Sequence, residues 1–211
     1  FEVSKGLSVI TIRKYLSLLL IGAACMCLGW ADTFEGIQAA AGKVTSVQAR
    51  FVQEKHLPIL AQPLIARGRF MFQGPDSLRW EYQEPVRSVL LMHKGRTRRF
   101  TESDGKMVEE STAGLQTMDV VSEQITNWLS GRFDRNPLFK ASLEPGRKIV
   151  MTPQNQQMNR FILRMEMLMG DQPGVMKEVV IFESETAFTR FKFIEPMINQ
   201  PISESTFQQV P

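Results

Sequence analysis

The chain of 211 residues is 43% hydrophobic and 22% charged, enough for one ordinary globular domain and too apolar for a disordered segment. Its formal charge is +3, but Lys5, Arg13 and Lys14 against Glu2 hold most of that excess ahead of residue 32, so the remainder is close to neutral. Such a balance excludes a broad nucleic-acid-binding face, which needs a large basic surplus.

Residues 1–31 read as a targeting segment: Arg13 and Lys14 form a basic start, Tyr15 to Trp30 an apolar stretch, and Gly29 and Ala31 supply small residues around a cleavage point. The stretch is shorter than the roughly 20 residues that a membrane span needs. The expectation is therefore a cleavable signal peptide ending at Ala31 and a mature domain over 32–211. The sequence opens on Phe1 rather than Met, so the true start is expected to differ from it. Cys25 and Cys27 both fall in the apolar stretch, leaving no disulfide for the mature chain. Lipidation at Cys25 would want a large aliphatic residue three places upstream, where Gly22 stands.

Phe34, Ile37, Ala41, Val44 and Val47 recur at helical spacing and predict a first amphipathic helix. Period-two alternation then predicts a strand from Ala49 to Glu54, followed by a loop broken at Pro58 and Pro63. A β-meander is expected next, over Leu64–Gln73, Leu78–Gln83, Arg87–His93 and Arg98–Ser103, with turns at Gly74-Pro75-Asp76, Pro85 and Lys94-Gly95. Leu115, Met118, Val121, Ile125, Trp128 and Leu129 mark one face of a second helix, capped at Gly131. Strands resume at Phe139–Leu143, Lys148–Thr152, Phe161–Met169, Met176–Ser184 and Thr186–Ile194.

About nine antiparallel strands in one sheet twist into a barrel or half-barrel, and the two helices have only its concave side on which to bury their apolar faces. The fold class predicted is mainly β with helices (α+β), a strongly curved antiparallel sheet with helices over its mouth. Leu78, Trp80 and Tyr82 share one face of their strand, with Phe70 and Phe72 before them and Val89 and Leu91 after. Phe161, Leu163, Met165, Met167 and Met169 form another such row. Apolar rows usually fill a core, but methionine-rich walls suit a space that accepts a variable ligand.

Chemistry has little support. His56 and His93 lie in no nucleophile or metal motif and are expected at the surface, as are the carboxylate pairs Glu109-Glu110 and Glu183/Glu185. No catalytic residue, metal or cofactor is expected. Lys94, Arg96, Arg98 and Arg99 crowd four cations around a hairpin glycine, either an exposed turn kept soluble or a contact for an acidic partner or anionic lipid head groups.

The order Val47-Gln48-Ala49-Arg50-Phe51-Val52-Gln53, Gly68-Arg69-Phe70, Pro75-Asp76-Ser77-Leu78-Arg79-Trp80-Glu81-Tyr82, Pro85, Gly95, a mid-chain helix, Thr189-Arg190-Phe191-Lys192-Phe193 and Phe207 resembles the periplasmic outer-membrane lipoprotein carriers of the LolA family. The resemblance implies an incomplete antiparallel β-barrel with a helical lid over a hydrophobic cavity. It also implies a periplasmic monomer that shields lipoprotein acyl chains between an inner-membrane ABC transporter and an outer-membrane receptor, without catalysis. On that basis Phe51, Phe70, Phe72, Leu78, Trp80, Tyr82, Val89, Leu91, Leu163, Met165 and Met167 are expected to line the cavity. Met118, Val121, Ile125 and Leu129 are expected to form the lid. Many carriers place a basic residue just before the proline ahead of the Leu78 strand, where it latches the lid; here the position is Gly74. Another lipid cargo, a sensor of mislocalised lipoprotein and an enzyme acting on a hydrophobic intermediate are the alternatives.

Overall fold

The computed structural model describes residues 33–110, 127–129, 131–133, 137–172 and 174–210. Helix α1, Phe34–Ala41, starts where the Thr33 hydroxyl accepts the Gly36 N–H at 3.0 Å, and ends at Gly42. The predicted helix ran on through Val44 and Val47; instead Val44 lies in a turn and Val47 in the first strand. Glycine followed by the β-branched pair Val44-Thr45 disfavours another helical turn and favours extended backbone.

Eleven strands follow: β1 Ser46–His56, β2 Leu64–Gln73, β3 Ser77–Glu84, β4 Ser88–His93, β5 Arg96–Ser103, β6 Lys106–Glu109, β7 Phe139–Glu144, β8 Lys148–Pro153, β9 Arg164–Met169, β10 Met176–Phe182 and β11 Phe188–Ile198. A short helix α2, Gln156–Asn159, precedes β9, and a 3-10 turn, Glu204–Phe207, follows β11. All belong to one antiparallel sheet in the order β6-β5-β4-β3-β2-β1-β11-β10-β9-β8-β7. The sheet is curved and unclosed, with β6 and β7 at its two edges. The sequence missed β6 and α2. β6 has four residues, and α2 is a single turn capped by Asn155, whose side chain accepts from Met158 N at 2.8 Å.

Strand β1 is the centre, pairing with β2 on one side and β11 on the other. Asn199 holds that seam: its side-chain oxygen accepts from Thr45 N at 2.8 Å, and its amide donates to Lys43 O at 3.1 Å. Two apolar clusters on one face of the sheet share Phe191 and Phe193 of β11 and so form a continuous interior. The first gathers Ile37 of α1 with Phe139, Ile149, Met151, Met165 and Met167; the second gathers Val47, Phe51, Phe70, Phe72, Leu78 and Leu90.

Residues 127–129 are helical and end in the glycine cap that the sequence predicted. Gly131 donates to Trp128 O and Arg132 to Asn127 O, each at 2.9 Å, the paired bonds of a Schellman motif. Gly131 has φ +70°, and a Cβ there would stand 2.7 Å from Gln38 Cα of α1, so glycine is needed both for the turn and for the approach of α1.

The opposite face of β3 to β5 is also covered. Val89, Leu91 and Phe100 pack there with Val210. Arg79 and Glu81, only 8% and 11% exposed, pair at 2.8 Å, and Arg79 donates to Thr206 O and Gln209 O at 3.0 and 2.8 Å. A guanidinium has donors to spare for a carboxylate and two carbonyls at once, which is why this charge can sit under the C-terminal segment. Phe207 is buried and stacks on His93, whose ring also meets Ser77 Oγ at 2.8 Å and Glu204 at 3.2 Å.

Candidate functional site

The inner face of the sheet encloses an apolar pocket of about 430 Å³. Its floor comes from alternate residues of the central strands: Val47 and Ala49 of β1, Phe70 of β2, Trp80 and Tyr82 of β3, Leu90 of β4, and Phe191 and Phe193 of β11. Period two sends these side chains inward together, and antiparallel register brings Ala49 opposite Phe70 and Trp80 opposite both Phe70 and Leu90. Met165, Met176, Val179 and Ile181 of β9 and β10 form a second wall. Met158, Ile162, Trp128 and Leu129 close part of the rim.

The floor is an aromatic cluster centred on Trp80. Its ring lies 5.2 Å from Phe51, 5.3 Å from Phe70 and 5.4 Å from Phe191, the last two edge to face. Edge-to-face pairs add about 0.5–1.5 kcal/mol each beyond area burial, so this wall is rigid where the methionine wall is adaptable. Gly68 makes the cluster possible. A Cβ there would come within 1.9 Å of Glu81 O and 2.7 Å of the Phe51 ring.

Polar groups are few. The Tyr82 hydroxyl donates to Gln53 Oε1 at 2.7 Å. Burial pushes the Tyr82 pKa up, opposed by the nearby Trp80 N–H and Arg99 charge. Among the described residues the buried indole nitrogens of Trp80 and Trp128 have no hydrogen-bond partner. An unpaired buried donor costs about 1–3 kcal/mol, which favours any rearrangement or ligand that brings an acceptor. Arg99, on the pocket face of β5, is held 3.4 Å from Glu110.

Of the residues expected to line a cavity, Phe70, Trp80, Tyr82 and Met165 do line this pocket. Phe51, Phe72 and Leu78 pack in the cluster beside them, and Met167 is buried in the neighbouring cluster. Val89 and Leu91 are corrections. They pair with Glu81 and Arg79 and so face the C-terminal segment, while Leu90 and Ser88 take the inner face. Leu163 is a correction too. It precedes β9 and is 39% exposed, whereas its neighbour Ile162 lines the pocket. Of the lid residues, Leu129 lines the pocket; Met118, Val121 and Ile125 lie outside the described residues. Phe191 and Phe193 were missed although Phe191-Lys192-Phe193 carries the period-two signal.

The basic hairpin is largely neutralised within the chain. Lys94 meets Glu204 at 2.6 Å, Arg98 holds Glu109 in two bonds of 2.8 and 2.9 Å, and Arg96 is exposed near Glu109. Glu183 and Glu185, expected to be solvated, meet Lys55 and Arg164 at 3.1 and 3.2 Å. The histidines are not free surface residues: His93 sits under the C-terminal turn, and His56 stacks 4.2 Å from Phe188. Among the described residues, no group of three or more His, Cys, Asp or Glu is placed to hold a metal, and no helix is long and apolar enough to cross a membrane.

The family model for the outer membrane lipoprotein carrier protein LolA matches residues 42–210. No curated protein matches the sequence. Among solved structures, an outer membrane lipoprotein-sorting protein domain from Vibrio parahaemolyticus aligns with 82% of this chain and 94% of its own, at 7% identity and a TM-score of 0.44. A DUF1329 family protein from Desulfovibrio piger aligns over 84% and 98%, at 9% identity and 0.43. A LolA superfamily protein from Nitrosomonas europaea aligns over 85% and 99%, at 10% identity and 0.42.

Proposed function

The chain belongs to the LolA family of outer membrane lipoprotein carriers, and from that membership we propose that it is a periplasmic carrier whose pocket takes the acyl chains of lipoproteins or of a related lipid. The observation that carries this reading is the pocket of about 430 Å³ on the inner face, walled almost wholly by apolar side chains. That volume falls in the range of about 300–1,000 Å³ usual for small-ligand sites.

Removing an acyl chain from water is favourable by about 0.8 kcal/mol per CH₂, on the order of ten kcal/mol for a long chain. Aromatic rings give the chain a fixed surface, and Met158, Met165 and Met176 repack around chains of different shape. An uptake so favourable needs a competitor for release. We assign that role to Met118, Val121, Ile125 and Leu129, of which Leu129 lines the pocket. The cargo comes from an inner-membrane ABC transporter and passes to an outer-membrane receptor; the protein works as a monomer, after removal of residues 1–31, and makes no chemical change.

Native mass spectrometry of protein prepared from the periplasm tests the reading. The expected spectrum contains adducts of acylated cargo that disappear on delipidation. A bare protein mass in repeated preparations, together with no binding of a fluorescent acyl probe, would overturn it.

A further inference from the structure

Antiparallel pairing puts the β1–β2, β3–β4, β5–β6, β8–β9 and β10–β11 connections at one end of the sheet, because β1 ends at His56 opposite the starts of β2 and β11. The large apolar residues left exposed concentrate at that end. Ile59, 87% exposed, and Leu60, Leu64 and Ile65 belong to the β1–β2 connection or the strand start beside it. Val86 follows β3, and Phe161, 71% exposed, precedes β9. Only Val108, Ile194 and Met197 of the exposed large apolar residues among the described ones lie elsewhere.

The charge pattern at this end is equally distinctive. No ionisable side chain occurs from Leu57 to Ala66. Three of the cations near the connections have a carboxylate, Lys55 with Glu183, Arg67 with Glu84 and Arg164 with Glu185, whereas Arg87, Lys106 and Arg160 carry no ion pair among the described residues. Pro58 and Pro63 have no N–H to desolvate, and Leu60 N already bonds Leu57 O at 3.0 Å. These apolar side chains come from three connections, β1–β2, β3–β4 and β8–β9. The pocket reaches the same end, since Ile162, a wall residue, is next to the exposed Phe161.

We propose that this end of the sheet seats in the interfacial layer of a lipid bilayer, with Ile59 and Leu60 inserted among the acyl chains. Resting on the carrier reading, the contact lets a ligand pass between bilayer and pocket without crossing bulk water. Aliphatic insertion supplies the attraction, and the cations without an ion pair at this end, Arg87, Lys106 and Arg160, strengthen it on anionic lipid without being required for it.

Flotation of the full chain with phosphatidylcholine vesicles, with and without phosphatidylglycerol, is the test. The wild-type protein is expected to float with both. Ile59→Glu is expected to lower partitioning about tenfold or more, the loss for withdrawing one fully exposed aliphatic side chain from burial. Arg96→Glu, in the basic hairpin, should change nothing. Binding of a fluorescent acyl probe in vesicle-free solution should be the same in all three proteins. No flotation with intact probe binding would refute the bilayer contact and leave the carrier reading standing; flotation without probe binding would do the reverse. Flotation only with phosphatidylglycerol and lost in Arg96→Glu would refute it in favour of the basic hairpin. Dimerisation in solution that Ile59→Glu abolishes, without flotation, would refute it in favour of a second copy.

Discussion

Replacing Ala49 by leucine distinguishes a ligand pocket from a packing defect. Ala49 lines the pocket opposite Phe70 and is 8% exposed, so leucine adds three carbon atoms to the space without touching the outer surface. An acyl chain in that space loses room for about three methylenes, worth about 2.4 kcal/mol or a roughly fiftyfold weaker dissociation constant. The unliganded protein should keep or slightly raise its melting temperature, because the new side chain fills a void. Displacement of a fluorescent acyl probe by fatty acids of graded length, beside thermal unfolding, measures both effects. The penalty should shrink for chains about three methylenes shorter. If Ala49→Leu binds every length as the wild type does, or weakens all lengths equally, the pocket is not where the chain lies.

Arg79→Ala should destabilise by about 3–5 kcal/mol in urea unfolding, because it leaves the Glu81 carboxylate buried without a partner and frees Thr206 and Gln209; Arg79→Met with Glu81→Leu should recover most of the loss. Leu90→Ala should weaken acyl-probe binding, whereas Val89→Ala, one residue away on the other face, should lower stability and leave binding intact in the same titration. The Lys94 ammonium, and after it His93, holds the Glu204 carboxyl below the usual carboxylate range. A depressed pKa contributes stability above the unfolded-state value and loses it as pH falls through the folded one, so acid should loosen residues 203–210, read as faster amide exchange there.

The strands were legible because period two and Gly/Pro punctuation agree. Leu64–Gln73 was placed at both ends, and the inward set Phe70, Trp80 and Tyr82 followed from parity alone. The signal failed where a strand is buried on both faces. Val89-Leu90-Leu91-Met92 is apolar at every position, so parity says nothing about which set faces the pocket. Arg79 and Glu81 read as a solvent face, yet the C-terminal segment covers them, a long-range contact that local sequence cannot encode. The methionine row kept its parity from Met165 to Met169 but began too early, because the chain turns at α2 and Leu163 precedes the strand.

The seam between β1 and β11 gives the sheet a kinetic order of assembly. On either side of it, every strand pairs with a neighbour in the chain, β6 with β5 and β7 with β8 at the edges, so each wing can zip up by local hairpin closure. The seam instead joins Thr45 to Asn199, positions 154 apart in sequence. Closing so large a loop is entropically the most demanding step, and it is compensated only when the two wings meet. Since the pocket floor draws on β1 and β11 together, no binding-competent state precedes that encounter, and a folding intermediate with both wings formed would still be unable to hold a ligand.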